Sequence, residues 1–152
     1  MTKLVVEQPA DLFNLVGKTL GPTAGMVITQ ERINQFADAT GDHQWIHVDE
    51  EKAASGPFGA TVAHGYLTLS LAAKFMPELI EVHNISMGVN YGTEKTRFPS
   101  PVRVGSTISA SGEILSVEEQ KGGIKCVIQV AISAEGADRP ACIVDTISVF
   151  FP

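Results

Sequence analysis

The chain has 152 residues, of which 44% are hydrophobic and 18% charged, and its formal net charge is −6. That is the length of one domain with a single sizeable core, so residues 1–152 are read as one unit, and no stretch has the composition of a disordered tract. The acidic balance excludes the basic footprint of a nucleic-acid binder.

The opening stretch "MTKLVVEQPADLF" lacks the apolar run of a secretory signal, and a cytoplasmic protein is the resulting expectation. "TLGPTAGMVI" (19–28) reads as a strand leading into a helix. Thr29 suits the N-cap and Glu31 the positive first turn; Ile33, Phe36, Ala37 and Thr40 follow helical spacing, and Gly41 supplies the stop. A second short helix is expected after Asp49, whose carboxylate caps it, with Glu50 and Glu51 in the first turn. The segment from Asp42 to Val48 between them reads as a loop, and so does "SGPFGA" (55–60).

"ATVAHGYLTLSLAA" (60–73) carries no carboxylate, lysine or arginine. It is too short to cross a bilayer, which takes about 20 residues, and it fits a buried helix over His64–Met76. Leu67, Leu69, Leu71, Ala72, Phe75 and Met76 cover every side, so protein must surround it, and Pro77 marks an end or a kink. Period-two alternation follows: Ile85, Met87, Val89 and Tyr91; then Ile108, Ala110, Gly112 and Ile114; then Ile124, Cys126, Ile128, Val130 and Ile132; and finally "ACIVDTISVFF". "KGGI" (121–124) signals a hairpin. Cys126 and Cys142 lie in these alternating stretches without metal-type spacing and read as reduced core residues. The order predicts an α+β layout in which a curved antiparallel sheet wraps a long apolar central helix, with a second subunit covering what one sheet leaves open.

Two segments hold the chemistry. "ADATGDHQWIHVDEEKAA" (37–54) puts Asp42 and His47 five residues apart, which on a continuous helix separates them by roughly 140°. Gly41 breaks the helix and lets both turn toward one point, where a carboxylate and an imidazole can share a water and move protons. A polar connection between two helices, or a metal half-site drawing on His43, stays open on spacing alone. The second segment delivers His64 and Gly65 to the start of the buried helix. Unpaired N–H groups there suit an oxygen that gains negative charge, and glycine lets a ligand approach; tight packing against the sheet and a satisfied core histidine would explain the same two residues.

Together, "FADATGDHQWIHVD" and "FGATVAHGYLTLSL", followed by "VNYGTEKTRFPSPVRVGSTI" (89–108), resemble the MaoC-like dehydratases, the group that includes the (R)-specific enoyl-CoA hydratases. Phe36, Gly41, Asp42, Ile46 and His47 stand in the places of that family's helix–loop signature. The resemblance covers residue 10 or so to the C-terminus. It implies a hot-dog fold, a homodimer, an acyl-CoA thioester substrate, Asp42 and His47 as catalytic residues, and the Gly65 amide as oxyanion donor. Gln44, Trp45 and His64 are the substrate-binding candidates. Gln44 and Trp45 stand where relatives usually have Asn-Pro, and Ala73 where some carry a serine in the buried helix (Ser70 being a substitute for it), departures that bear on acyl-chain preference.

The expected activity is reversible hydration of a trans-2-enoyl-CoA to a (3R)-hydroxyacyl-CoA by a water held between Asp42 and His47. No cofactor, metal, nucleic acid or membrane is called for. An acyl-CoA thioesterase is the alternative, and a non-catalytic acyl-binding hot-dog subunit a third. Lys95, Arg97 and Arg103 are read as solvated strand-end charges.

Overall fold

The computed structural model describes residues 3–152, so the first two residues of the amino-terminal stretch lie outside it. In chain order the elements are β1 (Leu4–Val6), a 3-10 turn (Pro9–Asn14), β2 (Thr19–Leu20), β3 (Met26–Val27), α1 (Gln30–Thr40), α2 (Trp45–Val48), α3 (Glu50–Ala54), α4 (Gly65–Ser70), α5 (Ala72–Leu79), β4 (Ile80–Val82), β5 (Met87–Arg97), β6 (Thr107–Gln120), β7 (Gly123–Ala134) and β8 (Cys142–Phe151).

Six strands make one antiparallel sheet in the order β2-β6-β7-β8-β5, with β3 also pairing β6. The alternation read from sequence sets its inner face. Ala110 pairs Ile132 and Ile114 pairs Ile128 across β6 and β7; Val130 pairs Val144 and Ile132 pairs Cys142 across β7 and β8. These residues join Leu67, Leu71, Phe75 and Leu79 of α4 and α5 in one core, and Phe75 and Leu79 are fully buried. Gly112 lets β6 lie close to its neighbours: a Cβ there would meet the Gln129 carbonyl oxygen at 2.8 Å. Lys121 and Gly122 make the β6–β7 turn, with Gly122 at φ +83° and Gln120 paired to Gly123, so the hairpin signal is realised.

Several expectations are corrected. The strand read over 19–28 is two short ones, β2 and β3, interrupted by Gly21 and Pro22. The connection after Asp42 is not all loop, because Trp45–Val48 form a helical turn. The central helix is not continuous: α4 ends at Ser70 and α5 begins at Ala72. Between them the Leu71 N–H is shared by the Leu67 and Thr68 carbonyls, a local tightening of the helix. Pro77 neither ends nor divides the helix, since α5 runs through it to Leu79. The central helix is also not covered on every side within this chain. Tyr66, Ser70, Ala73 and Pro77 fall at i, i+4, i+7 and i+11 and form one exposed stripe. The face assigned to Ile85, Met87, Val89 and Tyr91 is open at Met87 and Tyr91, which are 54% and 62% exposed, while Ile85 is half-buried against the core. β5 pairs only β8 and has register shifts between Asn90 and Gly92 and between Glu94 and Arg97, so it is a bulged edge. A parallel ribbon of β1 with β4 has no counterpart in the sequence reading.

Both cysteines are buried and free. Burial in apolar surroundings pushes the Cys126 thiol up to about 12 and the Cys142 thiol up to about 11, as inert core thiols require. Among the described residues no helix is long and apolar enough to cross a membrane.

Candidate active site

The site is built where α1 stops. Thr29 caps α1 by accepting the Arg32 N–H at 3.1 Å. At the other end Gly41 takes φ +84° and donates its N–H to the Ala37 carbonyl at 2.8 Å. That left-handed residue turns the chain out of the helix and leaves Asp42 at its mouth. The Asp42 carboxylate accepts the Gln44 N–H at 3.3 Å, an Asx turn that opens α2. One turn later His47 points inward and is buried, while the Asp42 side chain stays about half exposed at 51%.

The His47 ring is fixed in orientation and tautomer. Its Nδ1 lies 2.7 Å from the Val62 carbonyl oxygen, which only accepts, so Nδ1 carries the proton and donates it. Nε2 is therefore the basic nitrogen. The backbone on both sides of this contact is tied as well. Val62 N–H donates to the Ile46 carbonyl at 3.0 Å. The Gln30 amide donates to the His47 carbonyl at 2.8 Å and accepts from the buried Thr61 hydroxyl, bridging α1, α2 and segment 61–63. Gln30 and Thr61 carry no signature in sequence, because their role depends on a long-range approach.

His64 and Gly65 enter from the start of α4. The His64 ring stacks on His47 with centroids 3.8 Å apart and planes 22° apart, and the Phe36 ring lies tilted against it with centroids 4.9 Å apart. Polar atoms of Asp42, His47 and His64 all lie within 4.8 Å of one another. Gly65 opens α4, so its N–H belongs to a first turn without intrahelical acceptors. A cleft of about 250 Å³ reaches it, lined by Phe58, Gly65, Thr68, Phe98 and Ala141 among others. The Phe98 ring lies against Gly65, where a Cβ would meet it at 3.2 Å. Two larger grooves, of about 510 and 320 Å³, lie away from the dyad: one beside the β6–β7 turn, the other between α5, β5 and β8.

The structure thus gathers Asp42, His47, His64 and Gly65. The Gln44 side chain is exposed, and its backbone N–H rather than its amide serves Asp42. Trp45 packs toward Gly56 of the 55–60 loop and lies beneath the Lys52 ammonium, 4.6 Å from its ring centroid. Ser70 spends its hydroxyl on the Leu67 carbonyl at 2.8 Å, and Ala73 is exposed. His43 faces outward and pairs with Asp38 at 2.9 Å.

Distance alone would allow Asp42, His47 and His64 to hold a metal ion. The donor set argues otherwise. His64 Nε2 faces the Asp42 carbonyl at 3.0 Å and must donate to it, so that nitrogen offers no lone pair. Two imidazoles stacked nearly parallel also hold their in-plane lone pairs in separate, nearly parallel planes, which do not converge on a common point about 2.0–2.1 Å from each. The arrangement is suited to moving protons: a basic nitrogen held by its partner nitrogen, a half-exposed carboxylate close by, and an amide at a cleft.

Residues 11–136 match the protein family described as MaoC like domain. A 3-hydroxyacyl-thioester dehydratase Z of Mycobacterium tuberculosis is 44% identical over 142 residues, spanning 93% of this chain and 94% of the relative. A solved structure from Archaeoglobus fulgidus, described as a monoamine oxidase regulatory protein, superposes with a TM-score of 0.79 at 20% identity, over 100% of this chain and 99% of that one. The (R)-hydratase from A. caviae involved in PHA biosynthesis gives a TM-score of 0.72 at 21% identity, over 90% and 96%. The likeness to these structures is one of fold, the hot dog, with the sheet packed on the α4–α5 helix.

Proposed function

The chain belongs to the MaoC-like domain family, and on that premise we propose that it is a hydro-lyase that reversibly hydrates a trans-2-enoyl thioester, taken as the CoA ester, to the (3R)-hydroxyacyl product. The observation that carries this reading is the fixed tautomer of His47. With Nδ1–H held by Val62, its Nε2 is a ready base close to the Asp42 carboxylate. No direct hydrogen bond joins the two side chains among the described residues, and their polar atoms lie within 4.8 Å. One water with two hydrogen bonds of about 2.8 Å spans such a gap.

In the forward direction His47 Nε2 takes a proton from this water as its oxygen bonds to C3. The π electrons move to the thioester oxygen, where the Gly65 N–H stabilises the enolate. C2 then takes the proton that His47 removed, passed on by Asp42 or by the oxygen now bonded to C3, so that one H and one OH have been added and both residues are restored. The acyl thioester runs along the cleft beside Gly65, Thr68 and Phe98. Gln44 and Trp45 act on substrate preference, Trp45 through its packing on the 55–60 loop that carries Phe58 into the cleft wall.

The working form is a homodimer. β5 is an edge strand with exposed Met87 and Tyr91, and the open stripe of α4–α5 lies beside it across the groove of about 320 Å³. Antiparallel pairing of two β5 edges about a two-fold axis would use the same surface twice and cover both features.

The test is an assay with crotonyl-CoA and longer trans-2-enoyl-CoAs, with chiral analysis of the product. Loss of enoyl absorbance with a (3R)-hydroxyacyl-CoA product and no free thiol is expected. Thiol release without a hydroxyacyl product would replace the hydratase by a thioesterase, and neither signal, with acyl-CoA still binding, by a non-catalytic subunit.

A further inference from the structure

His64 has no part in the chemistry above, yet it contacts Asp42, His47 and Phe36 and precedes Gly65. It is 3% exposed, with its ring stacked on His47 and packed against Phe36. Substrate therefore has almost none of it to meet. Its Nδ1 is the one buried side-chain polar atom among the described residues without a hydrogen-bond partner. With Nδ1 buried and without a protein partner, the ring forms no hydrogen-bonded path to the reacting atoms among the described residues. Packing alone would be better served by phenylalanine or leucine, which leave no orphan atom in the core.

What the imidazole adds is a donor at one place. Its Nε2–H reaches the Asp42 carbonyl at 3.0 Å, across 22 residues of sequence. The other contacts of Asp42 are local and stretched: its N–H to the Thr40 hydroxyl at 3.4 Å, and its carboxylate from the Gln44 N–H at 3.3 Å. Among the described residues His64 thus makes the one long-range hydrogen bond on the residue that follows the Gly41 break. The same ring lies flat on His47, and the next peptide carries the Gly65 N–H.

We propose that His64 is a positioning residue that sets the relative placement of Asp42, His47 and Gly65 by donating to the Asp42 carbonyl while stacked on His47. This rests on the hydration reaction proposed above. Misplacement by about 1 Å in such a constellation costs on the order of a hundred-fold in rate.

The test compares three variants in the full-length protein. His64→Phe keeps a stacked ring without the donor; His64→Gln brings an N–H to about the reach of Nε2; His64→Met matches glutamine in length with no donor. The expected result is that Phe and Met lower kcat by roughly thirty- to a hundred-fold with KM nearly unchanged, that Gln recovers most of the loss, and that Tm does not follow kcat. If His64→Phe fails to fold, the Gln and Met pair decides. Wild-type kcat in the Phe or Met variant would reduce His64 to packing, and a rise in KM alone would make it a substrate contact; either overturns the proposal. Should the wild type itself hydrate no enoyl thioester, the reaction is wrong and the tether is judged separately by amide hydrogen exchange over residues 41–48. Faster exchange there in His64→Met than in His64→Gln supports it, and equal exchange overturns it.

Discussion

The start of α4 and the β5 edge are both lined by aromatic and apolar side chains, but one is closed and the other open. Around His64 the His47 ring is stacked and the Phe36 ring packs at a tilt, and backbone carbonyls hold the imidazole nitrogens. Along β5 and the outer stripe of α4–α5, Tyr66, Met87 and Tyr91 stand between 54% and 72% exposed, Tyr66 meeting only the edge of Phe98 among the rings of the described residues. The closed region draws its polar groups from α1, α2, segment 61–63 and α4 of a single chain. The open one presents a strand edge and an apolar groove. The residues proposed for chemistry and those proposed for assembly therefore lie on separable parts, and lesions in one should leave the other standing.

The sharpest break falls on the closed region. Asp42→Asn and His47→Ala should each lower kcat for enoyl-CoA hydration by about 10²–10⁴-fold, the usual worth of a positioned proton-transfer group. Sedimentation should report the same oligomer as the wild type. A variant that keeps full activity would show that the water is activated elsewhere.

Gly65 allows a finer cut in the same region. Gly65→Pro removes the N–H proposed to face the thioester oxygen, and proline is tolerated at the first position of a helix. His64, at φ −60° and ψ 140°, already has the extended backbone that a following proline demands. Gly65→Ala keeps the N–H and adds only a Cβ that presses on the exposed, movable Phe98 ring at 3.2 Å. Proline should cost kcat about 10²–10³-fold and alanine far less. Equal losses would mean that the cleft is sensitive to bulk and that the amide is not the oxyanion donor.

The open region is broken by Tyr91→Lys, which puts a charge on the bulged edge. A large aromatic at the centre of an interface is worth about 2 kcal/mol or more, roughly thirty-fold in the dissociation constant. Analytical ultracentrifugation over a dilution series should show this weakening, with an unchanged circular dichroism spectrum. Loss of folding in place of dissociation would mean that β5 is held by contacts within its own chain.

The sequence was legible in proportion to how local each feature is. The Thr29 cap, the Gly41 stop, the Asp49 cap and the Lys121–Gly122 turn are decided by neighbours within a few residues, and all are found where the pattern puts them. The alternation of β6, β7 and β8 was readable because each buries one face against the same core. β5 has similar alternation but no cover in this chain, and periodicity cannot say what will lie opposite a face. The break at Leu71 was hidden because an apolar run looks the same whether one helix or two carry it. Asp42, His47 and Gly65 came from motif resemblance, whereas Gln30, Thr61 and the stacking of His64 on His47 join residues 17 to 31 positions apart. No short window contains them.

The smallest expected effect lies just outside the ring pack, at His43. The Asp38 carboxylate bonded to its ring raises the His43 pKa above 6.5; burial slightly opposes this, and the Gly41 carbonyl and the charges of Asp38 and Asp42 assist. Because the folded value is the higher one, any stabilisation from this pair is complete below the unfolded pKa and is lost as pH rises through the folded pKa. His43 is fully exposed, so the pair should scarcely move Tm. Its use is as a reporter. By NMR titration, Asp38→Asn should bring His43 back toward 6.5, and Asp42→Asn should lower it less, because Asp42 acts on it through charge alone and as the weakest of these causes. Asp38→Asn should leave kcat unchanged, since neither it nor His43 meets the stacked rings. A hydration rate that followed the titration of His43 would join the two sides of Gly41 and remove the boundary drawn here around the closed region.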